Sequence, residues 1–424
     1  MSADKQRVLE LTSAHVAPHR VAVWDAFGTQ LVMGRREGYR MWDLSGHELM
    51  DFHLNGGTFN LGHRNPEVSA ALVAALDEVD IGNHHFASVD RAALAECLAA
   101  SAPGDLPYSV FASGGSEAID VAIKTARHAT GRRRIVGLDA GYHGKTGLSG
   151  AAGADAGARF FHSDLPDDFA TVPFTDLKAM EQALAAGDVA AVIMETIPAT
   201  YGFPLVPDGY LPAVKELAAA HGALYIADEV QAGLGRTGDL WGVQTYGVEP
   251  DLLVTGKGLS GGIYPIAATL IRESASEWLH EYGWGHVSTF GGSELGCRVA
   301  LKVLEITQRP ATVANVAHLI RRYAEGLAAI AADEPFLTEV RQSGVVIGLR
   351  VDHPDGAIFL QQELYGLGLW AIASGYDQSV LQFKPGLLLT DAEVDRSLEL
   401  LRAGLARAKD VDRPVPSRHP KPKA

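Results

Sequence analysis

The sequence predicts an α/β protein, with a larger part built on a mostly parallel sheet and a smaller α+β part. Three observations carry the prediction. Between residues 61 and 320, short apolar runs alternate with helical patterns, as in Ala190-Ala191-Val192-Ile193-Met194-Glu195, then Leu211 to Ala220, then Ala223 to Asp228. Alternation of this kind builds parallel strands joined by crossover helices. The run Val110-Phe111-Ala112 leads through Ser113-Gly114-Gly115-Ser116 into a helical pattern. Beyond residue 320 the pattern changes to long helical segments with short strands between them.

Taken in order, residues 1–60 hold alternating stretches such as Tyr39-Arg40-Met41-Trp42-Asp43-Leu44, which predict a small sheet and an arm that packs on a partner. Residues 61–320 form the larger part. After the turn at Gly114-Gly115, Ala118, Ile119, Ala122, Ile123 and Ala126 recur at helical spacing, Asp120, Lys124 and Arg127 fall on the other face, and Gly131 is a stop signal. Ala223 to Ala227 reads as a buried parallel strand closing on Asp228, whose carboxylate then emerges where α/β sheets bind ligands. Residues 321–408 complete the smaller part, with a helix around Ala311 to Ala332 entering it, strands near Gly344 to Val351 and Val380 to Phe383, and a last helix from Asp391 to Ala408. Residues 409–424 are proline-rich and basic and are expected to be disordered.

Composition narrows the function classes. The chain has 424 residues, 47% of them hydrophobic, enough to bury a large core. No apolar run approaches the roughly 18 residues of a membrane span, and the polar start Met1-Ser2-Ala3-Asp4-Lys5 lacks the apolar centre of a signal peptide. Two cysteines suit a reducing cytoplasm, and a net charge of −15 disfavours nucleic acid while favouring the approach of cationic substrates. A cytoplasmic enzyme with small-molecule substrates is expected, with no membrane or nucleic-acid partner.

The chemistry centres on Lys257, in Thr255-Gly256-Lys257-Gly258-Leu259-Ser260-Gly261-Gly262. A lysine among small residues, after an apolar strand and downstream of a strand-end aspartate, suits covalent aldehyde chemistry. Pyridoxal 5′-phosphate needs an amine nucleophile, an acid to keep its ring nitrogen protonated and a backbone cradle for its phosphate. Lys257, Asp228 and the Gly114-Gly115 helix start supply these in a sensible order.

These residues resemble the class III aminotransferases of fold type I, which include ornithine, acetylornithine, 4-aminobutyrate and ω-amine transaminases. The resemblance runs from about Trp42 to about Leu405. It implies a large domain with a seven-stranded-type sheet and a small α+β domain from the N- and C-terminal segments. It implies that Gly115 and Ser116 bind the phosphate, Tyr142 in Gly141-Tyr142-His143-Gly144 stacks on the pyridine ring, and Asp228 pairs with the ring nitrogen. Val230 would cover the opposite face, Gln231 approach the ring hydroxyl and Lys257 form the Schiff base. Thr289, in Ser288-Thr289-Phe290-Gly291-Gly292, would donate to the phosphate of a neighbouring subunit, which implies a homodimer.

Three other classes fare poorly. Gly258-Leu259-Ser260-Gly261-Gly262 matches the nucleophile elbow of hydrolases, but the apolar, β-like run Ile263 to Ile271 follows where a helix is required. No Gly-x-Gly-x-x-Gly follows an early strand, which argues against a nicotinamide enzyme. The 16 histidines are scattered and Cys97 and Cys297 are far apart, so no metal is expected and the cysteines read as small buried side chains.

The expected reaction is ping-pong transamination between an amine donor and a keto or aldehyde acceptor, with Lys257 acting first as nucleophile and then as proton carrier. Epimerase, decarboxylase or lyase chemistry on the same scaffold is the alternative. For the substrate, Leu381-Gln382-Phe383-Lys384-Pro385-Gly386-Leu387 stands where the family resemblance places Leu-Arg-Phe-x-Pro-Pro-Leu, with Gln382 in place of the carboxylate-binding arginine. A neutral amide lacks that bidentate grip, so the donor is expected to lack a carboxylate there. Lys384 is a candidate to compensate, although it reads first as a partly exposed structural lysine. Glu195 falls where some relatives gate that arginine, and Arg236 lies in Gly233-Leu234-Gly235-Arg236-Thr237-Gly238. Tyr201, Trp24, Asn55, His84, His85 and Phe86 are candidate pocket residues. Such a lining suits a plain ω-amine or an aminosugar of an antibiotic pathway.

Overall fold

The computed structural model describes residues 3–153, 156–411 and 414–415. Near the start, β1 (Met33–Glu37), β2 (Arg40–Asp43) and β3 (Glu48–Asp51) form an antiparallel meander. The main sheet takes β4 (Tyr108–Ala112), β5 (Arg134–Leu138), β6 (Phe169–Val172), β7 (Val189–Glu195), β8 (Leu224–Asp228), β9 (Leu252–Thr255) and β10 (Ala267–Ile271). Later come β11 (Leu337–Ser343), β12 (Val346–Val351), β13 (Leu369–Trp370), β14 (Ile372–Ala373) and β15 (Val380–Phe383).

The main sheet has seven strands in the order β4-β10-β9-β8-β7-β5-β6. Only β10 runs antiparallel to its neighbours, and β5 to β9 pair in parallel. Strands β7, β9 and β10 are buried along their whole length, as strands with both faces covered by helices must be. The helix Gly115–Thr130 covers one face with Ala118, Ile119, Ala122, Ile123 and Ala126, and Gly131 ends it at φ +65. Within the run Ile263 to Ile271 the strand begins only at Ala267, beyond Pro265, which cannot donate to a ladder.

A second sheet, β11-β12-β15-β14, is antiparallel throughout. The third joins the ends of the chain, because β13 pairs in parallel with β3, Leu369 opposite Met50 and Trp370 opposite Asp51. The architecture is α/β, as the sequence predicts.

Two expectations need correction. The division at residue 320 falls inside the helix Pro310–Asp333, which runs unbroken. We therefore propose Arg309, just before the proline that opens this helix, as the start of the smaller unit. The tail was expected to be disordered from residue 409, yet Val411 and Val415 pack against the core that includes Phe27 and Phe359. The remainder of that expectation concerns residues 412–413 and 416–424, outside the described residues. Among the described residues, no helix is long and apolar enough to cross a membrane, and no His, Cys, Asp and Glu cluster could hold a metal ion. Cys297 is buried and Cys97 half-buried, both as free thiols.

Candidate active site

Parallel strands present their carboxyl ends together, and here those ends carry the charged groups. Glu195 ends β7 directly opposite Asp228, which ends β8. One strand further, β9 leads through the extended Gly256 into a tight turn, Lys257–Ser260. Lys257 takes φ +38, a region costly for a residue with a β-carbon. Ser260 fixes the turn, its hydroxyl donating to the Lys257 carbonyl at 2.6 Å and accepting from Gly262 N at 3.0 Å. That commitment removes the serine as a hydrolase nucleophile. Among the described residues Lys257 Nζ has no hydrogen-bond or ion-pair partner.

The chain segment after β3 walls this amine in. Leu54, Asn55, Gly56 and Gly57 all have positive φ, and Asp51 holds their entry by accepting from His53 N at 3.0 Å and Leu54 N at 2.8 Å. The other Asp51 oxygen meets His63 Nε2 at 2.8 Å. A β-carbon on residue 56 would lie 2.9 Å from both Lys257 Cε and Gln231 Oε1, so only glycine lets the turn lie against the lysine stem.

Asp228 is buried and hydrogen-bonded twice, to His143 Nδ1 at 2.8 Å and from Val230 N at 3.0 Å. His143 Nε2 is buried without a partner among the described residues. Glu195 accepts from Tyr142 N at 3.0 Å and Ala199 N at 3.2 Å. Burial pushes its carboxyl up to about 7, Asp228 adding to the rise while His143 and the two N–H groups oppose it. Glu229 points away from this group and accepts from Gly242 N at 2.7 Å and Val243 N at 2.9 Å, with burial again raising its carboxyl to about 7.

These groups enclose a cavity of about 210 Å³. Gly115, Ser116, Tyr142, Glu195, Asp228, Val230, Gln231 and Lys257 all line it, joined by His143 and Gly144. The role of His143 was missed from the sequence, although a histidine beside Tyr142 between two glycines was the available signal. Thr289 lies elsewhere and is exposed. Tyr201 is outside the wall: its hydroxyl accepts from Ala140 N at 3.3 Å, its ring rests on Phe174 and Tyr376, and it borders a larger open groove that holds none of the strand-end groups. Trp24 packs on Phe27 and Trp370, while His84, His85 and Phe86 gather near Trp284, so neither group nor Asn55 lines the cavity.

Gln382, on β15, and Lys384, just past its end, also stand behind the wall. Gln382 Nε2 donates to Ala199 O at 2.6 Å. Lys384 is not partly exposed but fully buried, with Nζ 2.5 Å from Gln382 Oε1 and 3.1 Å from His53 Nδ1. Its neighbours are side chains of the core, and a lysine's length hid that from the sequence.

The residues fit pyridoxal 5′-phosphate. Gly115 and Ser116 open a 16-residue helix, whose first N–H groups suit a phosphate. Val230 rests on the Gly115 backbone, where a β-carbon would lie 3.2 Å from Val230 Cγ1, so any larger residue would press into the cradle. An unpartnered amine and a buried, histidine-bonded carboxylate face each other across the space between.

The aminotransferase class-III family model matches residues 24–405. The chain is 47% identical to an uncharacterized aminotransferase of Archaeoglobus fulgidus, over 96% of this chain and 95% of that one. It is 32% identical to a putrescine aminotransferase of Pectobacterium atrosepticum, over 97% and 89%. Among solved structures, the ornithine aminotransferase of Toxoplasma gondii superposes with a TM-score of 0.81 at 25% identity, covering 90% of this chain and 91% of that one. The N-acetylornithine aminotransferase of Stenotrophomonas maltophilia gives 0.77 at 30%, covering 91% and 98%. The chain therefore belongs to the class III aminotransferases, fold type I enzymes that use pyridoxal 5′-phosphate.

Proposed function

We propose that this enzyme transfers an amino group from an amine lacking a carboxylate at the Gln382 position to a carbonyl acceptor, by a ping-pong mechanism. One observation carries the donor assignment. Gln382, at the position of the family's arginine, spends its amide on Ala199 O and Lys384 Nζ, and the cavity wall holds two carboxylates and no arginine. Simple ω-amines, diamines and aminosugars fit such a site, including those of antibiotic pathways. The similarity to a putrescine aminotransferase points the same way.

When bound, the cofactor supplies an electrophilic carbon and a ring that spreads negative charge from the donor carbon. Lys257 is the nucleophile and afterwards moves the proton at the donor carbon. Asp228, held by His143, would keep the proton on the ring nitrogen of a bound cofactor. Tyr142, Val230 and Gln231 would hold its ring, and Gly115 and Ser116 its phosphate. Glu195 sets the position of Tyr142 through its backbone N–H. Tyr201 fixes the loop after β7 rather than touching substrate. A second copy supplies Thr289 to the phosphate; Tyr282, Trp284, Val287 and Phe290 are exposed around it, the kind of apolar surface a partner covers. The composition supports a cytoplasmic location.

The test is the visible spectrum of the purified holoenzyme with a panel of amines. A band near roughly 410–420 nm that gives way to one near roughly 330 nm with a particular amine supports transamination. A band that shifts without converting indicates epimerase, decarboxylase or lyase chemistry instead.

A further inference from the structure

We propose that His286 is a positioning residue for the neighbouring subunit's cofactor site: it pins the loop that carries Thr289 to the helix Gly115–Thr130. This rests on the shared site proposed above and adds the device that holds Thr289 in place.

The loop has little else to hold it. From Glu281 to Phe290 every residue is exposed except His286 and Ser288, which are half-buried. Ser288 works within the loop, accepting from Gly291 N at 3.0 Å, and Trp284 rests its ring on His85 at 5.3 Å. Among the described residues, the one hydrogen bond from residues 282–290 to an element beyond the loop and the short helix before it is made by His286. That short helix, Glu277–Glu281, also lies on Gly115–Thr130. Trp278 Nε1 donates to Thr125 Oγ1 at 3.1 Å, and Glu281 stands 3.5 Å from His128 Nε2. The whole segment is thus laid along one helix, and His286 makes the last attachment, between Lys124 and Glu117.

Lys124 Nζ stands 3.1 Å from His286 Nδ1. An ammonium only donates, so Nδ1 accepts and the ring proton sits on Nε2. Nε2 faces Glu117 Oε1 at 3.5 Å, without hydrogen-bond geometry. The other Glu117 oxygen accepts from Ser113 N at 2.8 Å, in the turn that leads to Gly115 and Ser116. Burial and Lys124 hold the imidazole below its usual range, with Glu117 opposing them, and a neutral ring is what can accept from Lys124. Loss of His286 leaves the phosphate cradle of its own helix in place, because Glu117 still holds Ser113 N. The loop, however, is freed. The cost of ordering it then falls on whatever Thr289 must bind, which in a shared site is the neighbour's phosphate.

Mixed dimers isolated through two different affinity tags locate the effect. Lys257→Ala silences one subunit, so the band near roughly 410–420 nm reports cofactor binding at the other subunit's live site alone. With His286→Ala also on the silenced subunit, the live site meets the altered loop. Cofactor titrated into that apo dimer is expected to bind about 10-fold more weakly than to the dimer altered only by Lys257→Ala. With His286→Ala on the live subunit, binding is expected to match that control. His286→Gln on the silenced subunit, whose amide can accept from Lys124 and donate toward Glu117, is expected to recover most of the loss. Equal losses in both arrangements, or none in the first, overturn the proposal. Where His286→Ala fails to assemble, Lys124→Met in the same two arrangements is expected to show the same asymmetry and is judged the same way. Thr289→Ala judges the shared site separately. A loss confined to its placement on the live subunit overturns the sharing itself, whereas a loss confined to the silenced subunit, with no effect of His286→Ala there, overturns only the role of His286.

Discussion

His143 Nδ1 stands 2.8 Å from Asp228 Oδ2, with both side chains buried at the floor of the cavity. The pair joins the turn after β5 to the end of β8, so the carboxylate is aimed by a group that the strand itself does not carry.

Removing that group should show first in cofactor retention. His143→Ala leaves a buried carboxylate short of one hydrogen bond, at a cost of about 1–3 kcal/mol. Equilibrium dialysis of the cofactor and a thermal melt of the holoenzyme should both report the loss. A variant that binds cofactor and melts like the parent would show that Asp228 needs no such support.

Gly386, where the family resemblance places a proline, is explained by Tyr39. A β-carbon on residue 386 would lie 1.8 Å from Tyr39 Cε1, and that tyrosine is buried, donating to Asn60 O and accepting from Leu388 N, each at 2.8 Å. Gly386→Ala is expected to destabilise by about 1–3 kcal/mol through overpacking. In a double-mutant cycle with Tyr39→Ala, the glycine substitution should cost markedly less, giving strong coupling. Simple additivity in urea melts would contradict the steric account.

Two buried carboxyls, Glu195 and Glu229, are each raised to about 7. A carboxyl whose folded pKa lies above its unfolded value holds its proton longer in the folded state. Folding stability therefore falls as pH rises from about 4.5 to about 7, by up to about 1.4 kcal/mol per pH unit for each group. Glu195→Gln should remove about half of that slope. Denaturant melts across this window check it, and an unchanged slope would place the titration elsewhere.

The proposed contribution of Thr289 to a neighbouring site can be checked by complementation. Lys257→Ala and Thr289→Ala should each be severely impaired alone. Mixed dimers unite an intact Lys257 from one subunit with an intact Thr289 from the other in one of two sites, so refolding the two variants together should restore up to about a quarter of wild-type activity. No recovery would count against a shared site.

The sheet and the strand-end residues were legible because they obey local rules. Asp228 follows a five-residue apolar run, and Gly115 stands between a strand and a clear helical pattern. What escaped depends on partners far along the chain. Lys384 reads as exposed because lysines usually are; its burial comes from His53, Gln382 and Phe203, none of which its own neighbourhood announces. His143 gains meaning only through Asp228. Tyr201 carried the composition of a pocket residue, but the Ala140 N–H turned it elsewhere. The helix through residue 320 has one continuous amphipathic pattern, so the break had to be sought at Pro310.

The pairing of β13 with β3 also sets a timetable. Met50 and Asp51 leave the ribosome early, but the strand that completes their sheet, Leu369–Trp370, arrives only after more than three hundred further residues. Until then β3 offers an unpaired edge, and Asp51, whose carboxylate organises the wall beside Lys257, sits on it. Lys257 is thus synthesised well before the wall that encloses it can be finished, which makes the nascent chain vulnerable at that edge and places assembly of the cavity at the end of biosynthesis.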